Sequence, residues 1–145
     1  MKFTAVVGNP PYQVNDNGAR DDGSANASAS PVYNLFVEEA KKISSLQCLI
    51  IPARWTTGAG KGLGTFTNTM LNDTHIKTFV LHSNSRDVFP TVDIMGGICY
   101  FLRDESYNGD AKITVHTPDS TETYNGRLNS DGTGTFIPYL EMIQI

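Results

Sequence analysis

Hydrophobic and polar residues follow one another along the chain in blocks that predict alternating strands and helices. The first apolar block, Phe3–Val7, is β-branched and predicts a strand, which must end at Gly8-Asn9-Pro10-Pro11 because prolines interrupt strands and helices. Further strands are predicted at residues 46–51, 76–81 and 94–102, with a hairpin over 112–115 and 121–127. The 46–51 block is apolar throughout, which is typical of a strand buried on both faces of a sheet.

Two helices are predicted between these strands. Residues 13–30 contain almost nothing apolar and predict a long loop. Ser30-Pro31 is a helix-start signal, an N-cap residue followed by proline at the first helical position. The helix that follows is expected to bury one apolar face, formed by Val32, Leu35, Phe36, Ala40 and Ile43. A glycine-rich loop, TTGAGKGLG, then precedes a second predicted helix at residues 65–71.

The order strand, helix, strand, helix, strand, strand predicts an α/β fold. The last two strands of that series are joined by too short a segment for a crossover helix, so we expect them to be antiparallel. At 145 residues, 39% of them hydrophobic, the chain fits one domain with its own core. Cys48 and Cys99 lie inside apolar runs and predict reduced, buried thiols. With no membrane-spanning apolar run and no signal-peptide pattern, we expect a cytoplasmic protein.

The net charge of −4 is unevenly distributed. Residues 1–103 hold 9 Lys/Arg against 8 Asp/Glu, whereas residues 104–145 hold 2 against 7. The acidity therefore belongs to the tail, and charge neither supports nor excludes a nucleic-acid partner.

The tetrapeptide Asn9-Pro10-Pro11-Tyr12 is the strongest candidate site. It follows the first strand, and ligands bind at the carboxyl ends of strands in such sheets. The prolines hold the Asn9 side-chain oxygen and the Pro10 carbonyl as two rigid acceptors, an arrangement that suits an amino group with two hydrogens. Tyr12 offers a ring on which a planar base could stack. The alternative is a proline-stiffened turn with a surface tyrosine.

VVGNPPY resembles motif IV of the amino-methyltransferases, whose adenine-N6 members have Asp or Asn before Pro-Pro-Tyr/Phe. Three later segments are similar to motifs V, VI and VIII, in the order of that family: YNLFVEEA (33–40), LIIPARW (49–55) and DVFPTVDIMGGICYFL (87–102). The whole run, roughly residues 3–103, looks closest to the Eco57I-type restriction-modification methylases.

The resemblance implies a role for each matched residue. Asn9 and Pro10 would accept hydrogen bonds from the N6 amino group of a flipped adenine, with Pro11 stiffening the segment. Tyr12 would stack on the base and Phe89 would pack against it from another side. Phe36, together with Asn9, would lie against the methyl donor, S-adenosylmethionine. The alternatives are ordinary helix packing for Phe36 and a loop aromatic that plugs the sheet for Phe89.

The resemblance also implies a fold and a division of the chain. The fold would be the C-terminal half of a Rossmann-like class I methyltransferase sheet, mixed, with its last strand antiparallel and a short β tail. Residues 1–103 would form a partial catalytic domain with motifs IV to VIII, and residues 104–145 an acidic tail that begins a specificity or linker region. The family's donor-binding motifs precede motif IV, and only eight residues precede Asn9 here.

The glycine-rich segment 58–64 does not match a nucleotide-binding loop. Lys61 is followed by Gly62 where a P-loop requires Ser or Thr, and the dinucleotide glycine spacing fails at Leu63. A flexible loop is the better interpretation, with Lys61 and Arg54 as candidate contacts to the DNA backbone. No metal site is expected, because His75, His82 and His116 are not spaced as a ligand set.

Two other functions stay open at this stage. A glutamine-N5 protein methyltransferase also uses Asn-Pro-Pro-Tyr, although its downstream sequence does not resemble IIPARW or the 87–102 segment. A non-catalytic module that binds DNA or a partner protein is the second. As a methyltransferase fragment, the chain would have DNA and the missing N-terminal methyltransferase half as partners.

The missing donor motifs lead to a direct prediction. We expect this chain alone to bind S-adenosylmethionine negligibly and to transfer no methyl group to DNA. Titration calorimetry measures the first property and radiolabelled methyl incorporation the second. Saturable binding at micromolar concentration would contradict the prediction. We also expect isolated chains to form a homodimer through an exposed edge of the Phe3–Val7 strand, unless the acidic tail folds back over it.

Overall fold

A computed structural model describes residues 2–15, 29–58, 60, 62–129, 132 and 134–136 of the chain. Its strands are β1 (Phe3–Gly8), β2 (Gln13–Asn15), β3 (Ala29–Pro31), β4 (Ser44–Pro52), β5 (Ile76–His82), β6 (Ile98–Asp104), β7 (Ala111–His116) and β8 (Thr121–Gly126). Its α-helices are α1 (Tyr33–Ile43) and α2 (Gly64–Leu71), and two 3₁₀ turns lie at Arg54–Thr57 and Ser85–Asp87.

Six strands form one mixed sheet in the order β1-β4-β6-β5-β7-β8. β1 runs parallel to β4, and β5 runs parallel to β7. β6 is antiparallel to both of its neighbours, which confirms the antiparallel pair predicted from the short connection. The predicted α/β class is therefore confirmed. β4 belongs to a mixed rather than a purely parallel sheet.

The helices cover one face of this sheet. The register aligns Leu49, Phe101, Phe79 and Ile113 across four neighbouring strands, and all four are buried in the same core cluster as residues of α1 and α2. The opposite face includes Val7, Cys48 and Leu102, whose side chains are exposed or only half-buried. β4 is thus fully buried on one face only, in contrast to the expectation from its apolar run. No helix in the described part of the chain is both long and apolar enough to span a membrane.

The start of α1 differs from the sequence prediction. Ser30 and Pro31 belong to β3, where they pair with Val14 and Gln13 of β2. The helix begins at Tyr33, after Val32, without a side-chain cap. The predicted N-cap was wrong because strand pairing takes up the backbone of Ser30 and Pro31. The two ends of the predicted loop are therefore strands, while residues 16–28 lie outside the described residues.

The buried face of α1 shares only Ala40 with the predicted one. Tyr33, Val37 and Ala40 are buried, whereas Leu35 is 57% and Phe36 47% exposed. The helix has two apolar stripes, and contact with β4 and α2 selects the one that contains Tyr33, whose ring packs edge-on against Phe66 at 5.9 Å.

Two other predicted elements are adjusted by the structure. β6 begins at Ile98 rather than Ile94, because Gly96 and Gly97 have φ of 86° and 84°, outside the extended region. The predicted hairpin exists as β7 and β8, and it continues the main sheet. The separate role given to residues 104–145 stays a prediction. Both cysteines are free, Cys99 is buried and Cys48 is only half-buried.

Candidate active site

Asn9-Pro10-Pro11-Tyr12 lies at the carboxyl end of β1, beside the parallel strand β4. β1 ends at Gly8, which is in register with Leu49, and the chain then leaves the sheet. Asn9 and Pro11 are exposed, Pro10 is half-buried, and Tyr12 packs against the edge of the core. The Tyr12 carbonyl accepts a hydrogen bond from the Val32 amide at 3.1 Å, so the tetrapeptide is tied to the start of α1.

The Tyr12 hydroxyl is a neutral group at ordinary pH. Burial raises the pKa of Tyr12, and the nearby Asn9 side chain opposes that shift more weakly. The Asn9 side chain lies near the Tyr12 hydroxyl without reaching hydrogen-bonding geometry. The hydroxyl therefore has no hydrogen-bond partner among the described residues. Tyr12 therefore contributes an uncharged ring to this part of the structure.

Phe89 lies on a loop between β5 and β6 whose conformation is held by several hydrogen bonds. The Ser85 hydroxyl donates to the Val92 carbonyl at 2.9 Å and accepts from the Ile94 amide at 2.8 Å. The Phe89 amide donates to the Ser85 carbonyl at 2.8 Å. The loop is therefore a preformed support for Phe89.

An ion pair closes the same loop. Arg86 binds Asp93 through two parallel contacts, Nε to Oδ1 at 2.6 Å and Nη2 to Oδ2 at 2.7 Å. This hydrogen bonding holds the pKa of Asp93 below its usual value. The Asp93 carboxylate lines the candidate pocket, and its charge is compensated by Arg86.

The Asn9–Tyr12 segment and the loop that contains Phe89 face a common pocket of about 790 Å³. Six predicted site residues line it: Asn9, Pro10, Pro11, Tyr12, Arg54 and Phe89. Its size falls within the roughly 300–1,000 Å³ of ordinary small-molecule sites. The structure thus brings together residues from three distant parts of the sequence.

The remaining predicted site residues lie elsewhere. Phe36 does not line this pocket, and its ring is 47% exposed rather than packed into the described core. Lys61 lies outside the described residues, and its predicted DNA contact stays a prediction. Arg54 is exposed at the pocket and makes no ion pair with a carboxylate of the described residues.

Glycines bring Arg54 close to the Phe89 loop. A Cβ atom at Gly96 would lie 2.9 Å from the Arg54 Cα, so only glycine permits this approach. The Gly97 carbonyl accepts a hydrogen bond from the Ala53 amide at 3.0 Å. These contacts join the 3₁₀ turn that contains Arg54 to the end of the loop.

Sequence reasoning did not name several residues that line the pocket, among them Tyr33, Val92 and Met95. Tyr33 is buried in its wall, its hydroxyl has no described hydrogen-bond partner, and burial raises its pKa. Val92 and Met95 line the pocket with exposed apolar side chains, Met95 being 74% exposed. Tyr33 follows Val32, the first residue of the predicted apolar stripe of α1, but it belongs to the other stripe, and only the packing of that stripe reveals its place.

The histidines form no common site. His82 and His116 end the paired strands β5 and β7, and their rings stack with centroids 4.3 Å apart. Burial, followed by the neighbouring His116, lowers the pKa of His82, and Asp87 opposes this shift. His75 precedes β5 at the other end of that strand, where its Nδ1 lies 2.6 Å from the Tyr107 carbonyl.

In sequence, the chain is similar to a family of methylases and to one protein named as a methylase. A profile of the family described as "Eco57I restriction-modification methylase" matches residues 1–89. A Mycoplasma pneumoniae protein named as an uncharacterized adenine-specific methylase is 31% identical over 141 residues, 97% of this chain. The chain spans only 32% of the length of that relative.

Two solved structures are similar in fold. The methyltransferase subunit of a type I restriction-modification system from Streptococcus thermophilus matches with a TM-score of 0.55 and 17% identity, over 99% of this chain and 31% of that one. The type IIG restriction endonuclease BpuSI matches with a TM-score of 0.58 and 14% identity, over 92% of this chain and 20% of that one. At these identities the likeness concerns the fold alone.

Proposed function

Since the chain belongs to the Eco57I restriction-modification methylase family, we propose that it forms the target-adenine-binding part of a DNA adenine-N6 methyltransferase. The observation that supports this most strongly is the shared pocket, in which the Asn9–Tyr12 segment, Phe89 and Arg54 meet. The partner would be DNA and the compartment the cytoplasm. The relative from Mycoplasma pneumoniae is named for the same adenine specificity.

The proposed chemistry requires positioning rather than a titrating base. The Asn9 side-chain oxygen and the Pro10 carbonyl each accept one N–H of the adenine amino group. The lone pair of that nitrogen then points toward the methyl donor. Both acceptors are held by the proline-stiffened segment and by the bond from Val32 to Tyr12, so little reorganisation is needed during the reaction.

Aromatic contacts would hold the base itself. An adenine taken out of the double helix loses its stacking with neighbouring base pairs, and ring faces in the enzyme can replace it. Tyr12 and Phe89 line the same pocket on separate loops, one fixed to α1 and the other by Ser85. Arg54, which lines the pocket and has no described carboxylate partner, would contact a phosphate of the DNA strand that carries this adenine.

Membership of a methyltransferase family implies that the parent protein uses S-adenosylmethionine. That cofactor supplies an electrophilic methyl group when bound. Among the residues of this chain, Phe36 and Asn9 would contact it. An aromatic ring 47% exposed on α1, with no place in the core, fits such a contact.

Aromatic capture of the base is testable on this chain. We expect adenosine to shift the NMR resonances of Asn9, Tyr12 and Phe89 in a saturable titration. Tyr12→Ala and Phe89→Ala should each weaken binding about 5- to 150-fold, the equivalent of roughly 1–3 kcal/mol per stacked base. Leu35→Ala is the matched control, since that residue is exposed and does not line the pocket.

A second ligand separates amino-group recognition from stacking. N6,N6-dimethyladenosine stacks equally well but has no N–H to offer to Asn9 and Pro10, so it should bind more weakly than adenosine. Equal binding of both nucleosides would remove the acceptor role. Unchanged affinity in both aromatic variants would leave Tyr12 as a surface residue of a stiff turn and Phe89 as a loop aromatic.

A further inference from the structure

Tyr33 brings a buried hydroxyl to the wall of the pocket. The residue is only 3% exposed and lines the pocket together with Arg54. Its ring is held edge-on by Phe66 of α2, with the ring centroids 5.9 Å apart. The hydroxyl is closed to bulk solvent and has no hydrogen-bond partner among the described residues. A buried hydroxyl without a partner is costly, so such a group is usually satisfied by a bound water or a ligand.

Tyr12 has a second hydroxyl in the same condition, and it lines the same pocket. Burial is the main cause that raises the pKa of both tyrosines, and Cys99 raises the pKa of each further. Both hydroxyls therefore lie near this one buried residue, although no hydrogen bond joins them. The Asn9 side chain is also close to the Tyr12 hydroxyl. The two hydroxyls thus share the side of the pocket at which Asn9 would accept the amino group of the base.

A tyrosine hydroxyl complements the two acceptors proposed for the amino group. Because burial raises the pKa of Tyr33, its hydroxyl keeps its proton at neutral pH and can donate a hydrogen bond. In adenine, the ring nitrogens N1 and N7 flank the carbon that bears the amino group, and both are acceptors. A donor on the same side of the pocket as Asn9 can therefore serve one of these two nitrogens.

We propose that Tyr33 is a specificity-determining residue of the pocket, whose hydroxyl donates a hydrogen bond to N1 or N7 of the target adenine, directly or through one bridging water. The inference rests on the proposed function, because it requires an adenine in the pocket. The base is then recognised by its amino group together with an adjacent ring nitrogen. Guanine has an oxygen in place of that amino group, so it would bring an acceptor against the acceptors Asn9 and Pro10.

Deazaadenosines, in which one ring nitrogen is replaced by C–H, test the contact by the same NMR titration. The wild-type chain should bind either 1-deazaadenosine or 7-deazaadenosine about 5- to 150-fold more weakly than adenosine, because that analogue leaves a buried donor unpaired. Tyr33→Phe should bind adenosine and that analogue with equal affinity. 3-Deazaadenosine is the ligand control, since N3 lies on the opposite edge of the base, and it should bind as adenosine does.

Stability separates this role from a structural one. Tyr33→Phe keeps the ring and its contact with Phe66 and removes only an unpartnered hydroxyl, so the free energy of unfolding in urea should not fall. Tyr107→Phe is the matched control, because the Tyr107 hydroxyl donates to the Asp110 carbonyl and the residue does not line the pocket. That variant should lose stability and keep the wild-type affinity for each nucleoside.

The outcomes distinguish this inference from the proposed function. Equal wild-type affinity for adenosine, 1-deazaadenosine and 7-deazaadenosine overturns the role of Tyr33, as does a preference for adenosine that persists in Tyr33→Phe. A preference that is lost only in Tyr12→Phe assigns the contact to Tyr12 and likewise overturns it. In all three cases, saturable adenosine binding that Tyr12→Ala weakens leaves the proposed function standing. Absence of saturable adenosine binding contradicts both.

Discussion

Replacement of Asn9 by alanine in the complete methyltransferase that contains this segment should lower the turnover number by about a hundredfold or more. Loss of one well-placed acceptor in a preorganised site has typically this cost. Asn9 is exposed at the pocket and supports no core contact, so DNA affinity and folding should change little. Transfer of a radiolabelled methyl group into DNA measures the turnover, and fluorescence anisotropy measures the affinity.

The control for this experiment is Asn9→Asp, which keeps a side-chain oxygen at the same position. It should retain far more activity than Asn9→Ala, because an acceptor rather than the amide nitrogen is required. Turnover near the wild-type value in Asn9→Ala would remove the residue from the proposed role. Equal loss in both variants would point to the amide nitrogen instead.

Gly97→Ala should be the most damaging small substitution for the fold, at a cost of about 3 kcal/mol or more. Two penalties combine there. The residue has φ of 84°, a conformation that costs an L-residue roughly 1–3 kcal/mol. A Cβ atom would also overlap the His82 carbonyl oxygen and lie 3.0 Å from that of Ser83, and neither backbone atom can swing away. Urea unfolding followed by circular dichroism measures the change in the free energy of unfolding.

Gly62→Ala isolates the first penalty. Gly62 has φ of 74°, and nothing lies within 4 Å of an added Cβ. Its substitution should cost only the conformational part. A Gly97→Ala variant as stable as Gly62→Ala would mean that β5 and the Gly96-Gly97 turn are not packed as closely as described. Gly97→Ala should also loosen the loop that contains Phe89, since the Gly97 carbonyl joins that loop to the Ala53 amide.

Local sequence patterns predicted most of the strands and helices, and they predicted the Asn9–Tyr12 segment as the centre of the candidate site. β1 was predicted from its β-branched residues, and its end from the two prolines, since neither feature depends on the rest of the chain. The short connection between β5 and β6 was enough to predict their antiparallel pairing. The rigidity of the Asn9–Tyr12 segment likewise comes from backbone chemistry within four residues.

Local signals failed where a segment could satisfy two structures. Ser30-Pro31 is a good helix start in isolation, yet pairing with β2 provides backbone hydrogen bonds that a cap residue cannot. Along α1, the stripe with Leu35 and Phe36 and the stripe with Tyr33 and Val37 are both apolar. No local pattern in the sequence distinguishes which of them meets β4.

Only the tertiary structure decided how the site is assembled. The sequence named Asn9, Arg54 and Phe89 as separate candidates. The strand order β1-β4-β6-β5 brings together the loops that follow the carboxyl ends of β1, β4 and β5, which contain these residues. That order depends on long-range pairing between strands, which no short pattern encodes. The contacts of Gly96 and Gly97 with Arg54 and Ala53 then set the distance between the loops, because close approach of two backbones depends on the absence of a side chain.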